Sequence, residues 1–325
     1  MITSLLFDRS GSADIDDFAA KAAKLSERTV LWVNLERPDA SELAEVCAAF
    51  GLDATPERTL ARSHPVPQVQ LRDAYIHVVA IFPPDKGSTD SSAMHALDAY
   101  VGRNWLVTSY DSPQPIVDQF RELAAGAGQI GALDALSFLA TLLESVIVGY
   151  AEAVEEIEET LEDFDAEVLA STDRDVESKV LALVEARSRV AQLRRALAPH
   201  LRVFMTLSHT ELDAVSTEMS GVRFTHLASN VAEALNGARD ARETVVNSFD
   251  MLILRTEHRT NEIVKVLTLT SILFLPGALI AAIMGMNVNL AGGEFISSNL
   301  FWGTLIIIGV VGIGTLTLAR LRRWI

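Results

Sequence analysis

Cysteine occurs once in the 325 residues, at Cys47, which excludes a disulfide within the chain and any metal cage built from several thiolates. A lone thiol in a helical pattern reads as a small apolar core residue. Positive charge is also scarce: 27 Lys and Arg face 43 Asp and Glu, a formal net charge of −16. Such a chain repels phosphate backbones, which excludes a nucleic-acid partner, and it suits a protein that concentrates cations. The first 130 residues contain no nucleotide-binding glycine pattern, nucleophile elbow or His-Glu-x-x-His. Elsewhere no catalytic constellation stands apart, so neither an enzyme nor a resident cofactor is expected. The segment Met1 to Asp8 is too short and too soon interrupted for a signal peptide, so the chain is expected to begin in the cytoplasm.

Two stretches lack charge altogether, Val266 to Gly293 and Phe295 to Ala319, with only Glu294 between them. Each exceeds the roughly 20 residues that an α-helix needs to cross about 30 Å of hydrocarbon. The pattern predicts a hairpin of two spans, 266–284 and 300–319, joined by a turn-rich loop of Gly, Asn and Ser. Arg255, Arg259 and Lys265 precede the first span, Arg320, Arg322 and Arg323 follow the second, and the loop has no basic residue. By the positive-inside rule both chain ends are expected in the cytoplasm and the loop outside, in a cell inner (plasma) membrane. Two helices cannot enclose a pore, so a conduit requires several copies.

Ahead of the spans, residues 1–130 read as an α+β cytoplasmic domain, an α/β sandwich. β-rich runs fall at 2–7, 29–34, 68–71, 75–82, 97–101 and 105–109, with helical patterns at 15–25, 40–50 and 115–125. Pro83 to Ser92 reads as an exposed loop. Residues 131–199 read as an acidic helical pair that breaks near Ser171-Thr172-Asp173 and ends at Pro199. Its first helix carries Glu152, Glu155, Glu156, Glu158, Glu159, Glu162, Asp163 and Asp165. A solvated face, a cation-attracting collar and a partner for the C-terminal arginines all fit that cluster.

From about Leu201 the helical pattern continues without proline to Pro276, a stalk over 200–265 that enters the first span. Such a helix is on the order of 100 Å long and needs neighbours to be stable. A period of 3.5 from His226 meets Glu233, Asn236, Asp240, Glu243, Asn247, Asp250, Leu254, Glu257 and Asn261. Every carboxylate between His226 and Asn261 falls on this seam, while Val231, Leu235, Val245, Val246, Phe249 and Leu252 lie off it. An ordinary coiled coil carries apolar residues on its 3.5-period seam. The inverted pattern fits a water-filled lumen among several copies; a single solvated face is the alternative. Val264, Thr268, Ser271, Leu275, Ala278, Ala282 and Gly285 continue the seam through the span, with Leu267 beside it. Small residues there also fit plain helix packing, but continuity with the acidic seam favours a pore narrowed by Val264, Leu267 and Leu275, a constriction that gates by dewetting.

The tripeptide Gly285-Met286-Asn287 closes the first span directly before the loop. Together with Asn261-Glu262-Ile263-Val264-Lys265-Val266-Leu267-Thr268, Pro276 within the span, and the tail Arg320-Leu321-Arg322-Arg323-Trp324-Ile325, it resembles the CorA metal-ion transporter family. Leu31-Trp32-Val33-Asn34-Leu35, Phe50-Gly51-Leu52 and Trp105-Leu106-Val107-Thr108-Ser109 resemble that family's N-terminal domain. The resemblance implies a funnel-shaped homopentamer in lipid. It implies passive uptake of divalent cations, Mg²⁺ first among Mg²⁺, Co²⁺, Ni²⁺ and Zn²⁺. It places a hydrated cation at Asn287, at the mouth with Gly285 and Met286; Glu294 stands in for the family's loop acid there, and Asp250 on the acidic seam is a candidate further metal contact. Mg²⁺ dehydrates reluctantly, so side-chain amides around a hydrated ion make physical sense.

Two departures stand out. The family's Met-Pro-Glu-Leu after the tripeptide is replaced by Val288-Asn289-Leu290-Ala291-Gly292-Gly293-Glu294-Phe295, a glycine-rich loop similar to the ZntB branch, described as moving zinc, which makes proton-coupled zinc transport the near alternative. The family's regulatory stalk carboxylate aligns with His226, whose imidazole suits zinc or nickel. The distant alternative is a membrane-anchored oligomeric sensor or scaffold.

Overall fold

The computed structural model describes residues 1–8, 11–26, 29–53, 66–84, 95–126, 134–170, 176–209, 218–285 and 298–321. The chain divides into two compact units, Met1–Phe249 and Asp250–Ile325. Outside the described residues lie most of the expected loop at 83–92, the break at Ser171-Thr172-Asp173, the mouth residues Met286, Asn287 and Glu294, and the tail beyond Leu321.

The first unit is built on a seven-stranded mixed sheet of order β2-β1-β3-β7-β6-β5-β4. The strands are β1 (Ile2–Asp8), β2 (Gly11–Asp14), β3 (Val30–Glu36), β4 (Gln68–Leu71), β5 (Ile76–Ile81), β6 (Ala96–Val101) and β7 (Trp105–Tyr110). Only β3 and β7 pair in parallel. Six strands match the β-rich runs of the sequence to within two residues. The seventh, β2, is a polar Gly-Ser-Ala-Asp edge held by its register with β1, from Leu5 opposite Asp14 to Asp8 opposite Gly11. Its composition carries no β signal, and pairing alone makes it a strand.

Alternation along β3 sends its side chains to two separate cores. Leu31, Val33 and Leu35 pack with Phe18 of α1 (Phe18–Ala22) and with Leu43 and Val46 of α2 (Ala40–Phe50). Cys47 is partly buried against this same core, as the lone-thiol reading expects. Trp32 turns the other way, its ring 5.7 Å from Phe120 of α3 (Pro115–Gly126) and 5.5 Å from Phe138 of α4 (Ala135–Ala170). Helices therefore cover both faces of the sheet, as a sandwich requires. The polar groups buried on the Trp32 side are satisfied in a chain. Trp32 Nε1 donates to Thr108 Oγ1 at 2.8 Å, Thr108 Oγ1 to Asn34 Oδ1 at 2.7 Å, and Asn34 Nδ2 to the Tyr110 hydroxyl at 2.9 Å.

Helix α5 (Val176–Ser208) corrects one expectation, because it runs through Pro199 instead of ending there. Leu193, Ala196, Leu197, His200, Val203, Phe204 and Leu207 continue one buried stripe across the proline. That packing outweighs the single backbone hydrogen bond that proline removes. His200 fixes the helix to the sheet: Nε2 accepts from the Ile81 N–H at 3.1 Å and Nδ1 donates to the Ala196 carbonyl at 3.0 Å. The last long helix, α6 (Glu218–Gly285), therefore begins later than the sequence pattern suggests, but it contains the whole interval from His226 to Asn261. In the second unit, α6 is followed by α7 (Ser298–Leu321), whose 24 residues rise roughly 36 Å, enough to cross a bilayer.

Candidate functional site

Helix α6 carries two seams. The first is buried: Phe224, Leu227, Val231, Ala234, Ala238, Ala241, Val245, Ser248 and Leu252 alternate in steps of three and four. This is the spacing of a coiled-coil contact line. Phe224 lies 6.1 Å from the Phe204 ring of α5, and a Cβ on Gly237 would stand 3.5 Å from Val154 Cγ1 of α4. The expected packing residues Val231, Val245 and Leu252 belong to this line, whereas Leu235 and Phe249 are half-buried and Val246 is exposed.

Two residues along, about 200° around the helix, runs the polar seam. His226, Glu233, Asn236, Asp240, Glu243, Asn247, Asp250, Leu254, Glu257 and Asn261 are all exposed in the isolated chain. The acidic seam is thus free of the contacts that hold α6 to its own subunit. Near its middle the field is more acidic than α6 alone supplies. Glu158 of α4 is held above the ordinary carboxylate range, first by burial and then by the charges of Asp240, Glu162 and Glu155. Like charges pressed together in this way are relieved by a cation. The periodicity of α6 gives no sign of Glu158; only the packing of α4 beside it reveals the pairing with Asp240.

In the second unit, the apolar stretch of α6 has no shelter. Both α4 and α6 are long and apolar enough to cross a membrane, but 61% of the apolar window of α4 is buried inside the protein and none of that of α6 is. α4 is a core helix; α6 presents its apolar surface outward, as a lipid-spanning helix does.

One side of this stretch faces α7. A Cβ on Gly277 would stand 3.5 Å from Ile308 Cγ2, and one on Gly312 3.5 Å from Leu273 Cδ1. Leu269, Leu273, Pro276, Gly277 and Ile280 are the half-covered residues of this face. At about 100° per residue, Val264, Thr268, Ser271, Leu275, Ala278 and Ala282 lie on the opposite side, with Leu267 at its edge. Of these, Thr268 is half-buried and the others are exposed, Leu275 at 71%. Thr268 Oγ1 donates to the Val264 carbonyl at 2.7 Å, which satisfies its proton within the helix. Leu273, a bulky residue off the seam, lies against Gly312 of α7. Gly285 is the last helical residue, so the tripeptide begins where the helix stops. Among the described residues, no group of three or more His, Cys, Asp and Glu side chains is placed to hold a metal ion.

Residues 27–323 match the family model described as CorA-like Mg2+ transporter protein. Two curated relatives carry the name Cobalt/magnesium transport protein CorA. The Thermotoga maritima protein is 20% identical over 289 residues, covering 88% of this chain and 80% of that one. The Methanocaldococcus jannaschii protein is 21% identical over 292 residues, covering 88% of each. The complete structure of the CorA magnesium transporter from Methanocaldococcus jannaschii superposes with a TM-score of 0.80 at 18% identity, covering 99% of this chain and 98% of that one.

Proposed function

The chain belongs to the CorA-like Mg2+ transporter family, and on that premise we propose a passive uptake channel for divalent cations, with Mg²⁺ as its principal ion, assembled from five copies. It is a transporter and not an enzyme. The observation that carries the reading is the exposed acidic seam of α6, set opposite the seam that holds the helix to its own subunit. Copies gathered around that face would line a lumen with Glu233, Asp240, Glu243, Asp250 and Glu257, concentrating cations below the membrane. A metal contact at Asp250 would then be a ring of carboxylates, one from each copy. Within the membrane the line continues at Asn261, Val264, Leu267, Thr268, Ser271, Leu275, Ala278 and Ala282, leaving the α7 face outward. Asn287 and Glu294 would form the external mouth around a hydrated ion, both chain ends lying in the cytoplasm. A potential of about 100 mV drives a divalent ion inward by roughly 4.6 kcal/mol, so the flux needs no ATP.

A second reading is proton-coupled zinc transport, favoured by the glycine-rich run Ala291-Gly292-Gly293 in place of the family's common loop. Purified protein in liposomes separates the two. The channel reading expects Mg²⁺ entry that follows an inside-negative potential and ignores a proton gradient. Zn²⁺ entry that requires the proton gradient would support the second, and entry of neither ion would contradict both.

A further inference from the structure

The two helices that flank α6 carry opposite charge. α4 has ten Asp and Glu and no Lys or Arg, whereas α5 has six Lys and Arg against two Glu. At about 100° per residue, exposed Glu144, Glu155, Glu159 and Glu162 fall on one stripe of α4, opposite its buried side. Exposed Arg187, Arg195 and Arg202 fall on one stripe of α5, again opposite its buried side. Among the described residues none of these side chains makes an ion pair, and Arg195 Nε donates to the Ala191 carbonyl of its own helix at 3.2 Å. The ion pairs that tie the hairpin together involve other residues, Arg189 with Glu156 at 3.1 Å and Lys179 with Glu167 at 3.4 Å. α6 packs on both helices, through Phe224 against Phe204 and Gly237 beside Val154. The three helices therefore form a triangle in cross-section, and the two charged stripes lie on different flanks of it.

We infer that the acidic stripe of α4 receives the arginine stripe of α5 from a second copy of the chain, an inference that rests on the ring of copies proposed above. A ring closes through heterologous contacts, in which one flank of each subunit meets the other flank of the next. In that ring α6 runs along the axis, with α4 and α5 beside it. Rotation about the axis moves no residue along it, so positions level within one subunit are also level across the contact. Contacts inside the hairpin fix those levels. Glu156 with Arg189 and Glu167 with Lys179 set one register, and the rings of Tyr150 and His200, 5.8 Å apart, set another about five residues along. Between the two, Arg187 stands level with 158–163, Arg195 with 150–155 and Arg202 with 143–148. Each interval holds an exposed carboxylate of the α4 stripe: Glu159 and Glu162 in the first, Glu155 in the second and Glu144 in the third. The chain's total charge would drive copies apart. It is the segregation of the arginines onto the flank opposite the acidic one that makes this single placement attractive, while α4 against α4 is repulsive. Each exposed pair contributes little alone, but three in register select which flank meets which.

The test uses the full-length protein in detergent, with Cys47→Ser to remove its one native thiol. Two single-cysteine chains, Arg187→Cys and Glu159→Cys, are expressed separately and together, then treated with a short bismaleimide. Linked dimers are expected from the co-expressed pair and from neither chain alone. Dimers from either chain alone would bring like flanks together and overturn the inference. So would an oligomer of wild-type size whose co-expressed chains yield no linked dimers. A second arm reads the charge by light scattering as temperature rises. Arg187→Glu with Arg202→Glu is expected to lower the dissociation temperature of the oligomer by several degrees, and adding Glu144→Arg with Glu159→Arg to restore most of the loss. All four positions are exposed, so the fold of each subunit tolerates the exchange. An unchanged dissociation temperature in the first variant, or no recovery in the second, would overturn the inference. A wild type that is monomeric throughout would instead remove the oligomeric reading itself, and this inference with it.

Discussion

Helix α4 and the second half of α6 are alike in apolar content and opposite in fate. In α4, Phe138, Leu139, Leu142, Leu143, Val146 and Tyr150 all find partners within the first unit and are buried. In α6, Phe274, Leu275 and Leu279 are 61–71% exposed, with α7 covering only the opposite or flanking face. Composition alone does not separate the two cases. The separation comes from whether the chain supplies a surface for the apolar side chains, and for α6 the remaining solvent is lipid or another copy. The first unit thus holds the buried core and the upper part of the acidic seam, and the second holds the membrane part of the proposed conduit.

That division can be broken most severely at the mouth. Asn287→Ala should abolish Mg²⁺ influx in liposomes while leaving oligomer size on gel filtration unchanged, and undiminished flux would contradict the role given to Asn287. A paired truncation sharpens the contrast. Phe138→Ala removes a ring that contacts Phe7, Trp32 and Phe120, and should cost the first unit about 3–5 kcal/mol. Phe274→Ala, on the unsheltered face, should leave the denaturant unfolding of that unit unchanged.

The first unit should also show an acid dependence centred on His200. Burial holds its imidazole down at about 4, against an ordinary 6.5. Between those values the unfolded chain carries a proton that the folded chain does not, so stability is full above 6.5 and falls as pH drops towards 4. The whole window is worth roughly 3 kcal/mol. His200→Gln should flatten the dependence of melting temperature on pH across that range. The smallest effect concerns the start of α4, where the Asp134 carboxylate accepts from the Ser137 N–H at 2.7 Å. Asp134→Ala should cost about 1 kcal/mol, read as a small fall in melting temperature.

Much of this organisation is legible in the sequence because it is periodic. The acidic seam from His226 to Asn261 has a period of 3.5, and the structure leaves those same positions exposed. The two uncharged runs coincide with the ends of α6 and with α7. What escaped was decided by contacts between distant segments. Pro199 is a local helix breaker, yet it is overridden by the buried stripe from Leu193 to Leu207. Strand β2 exists only through β1. The closeness of Glu158 to Asp240 depends on how α4 lies beside α6, which no single-helix pattern encodes. Leu273 looks like a lipid-facing residue until α7 is placed against it.

The central claim, that the face of α6 opposite α7 lines a water-filled path, is tested most directly by thiol accessibility in liposomes. Replacing Cys47 by serine removes the only native thiol, and single cysteines are then placed at Ser271, Ala278, Leu273 and Gly277. A small, charged, membrane-impermeant thiol reagent should modify the first two and block Mg²⁺ flux, while leaving the last two unmodified and the flux intact. Modification of Leu273→Cys or Gly277→Cys with Ser271→Cys and Ala278→Cys protected would place the aqueous path on the wrong side of the helix and contradict the account.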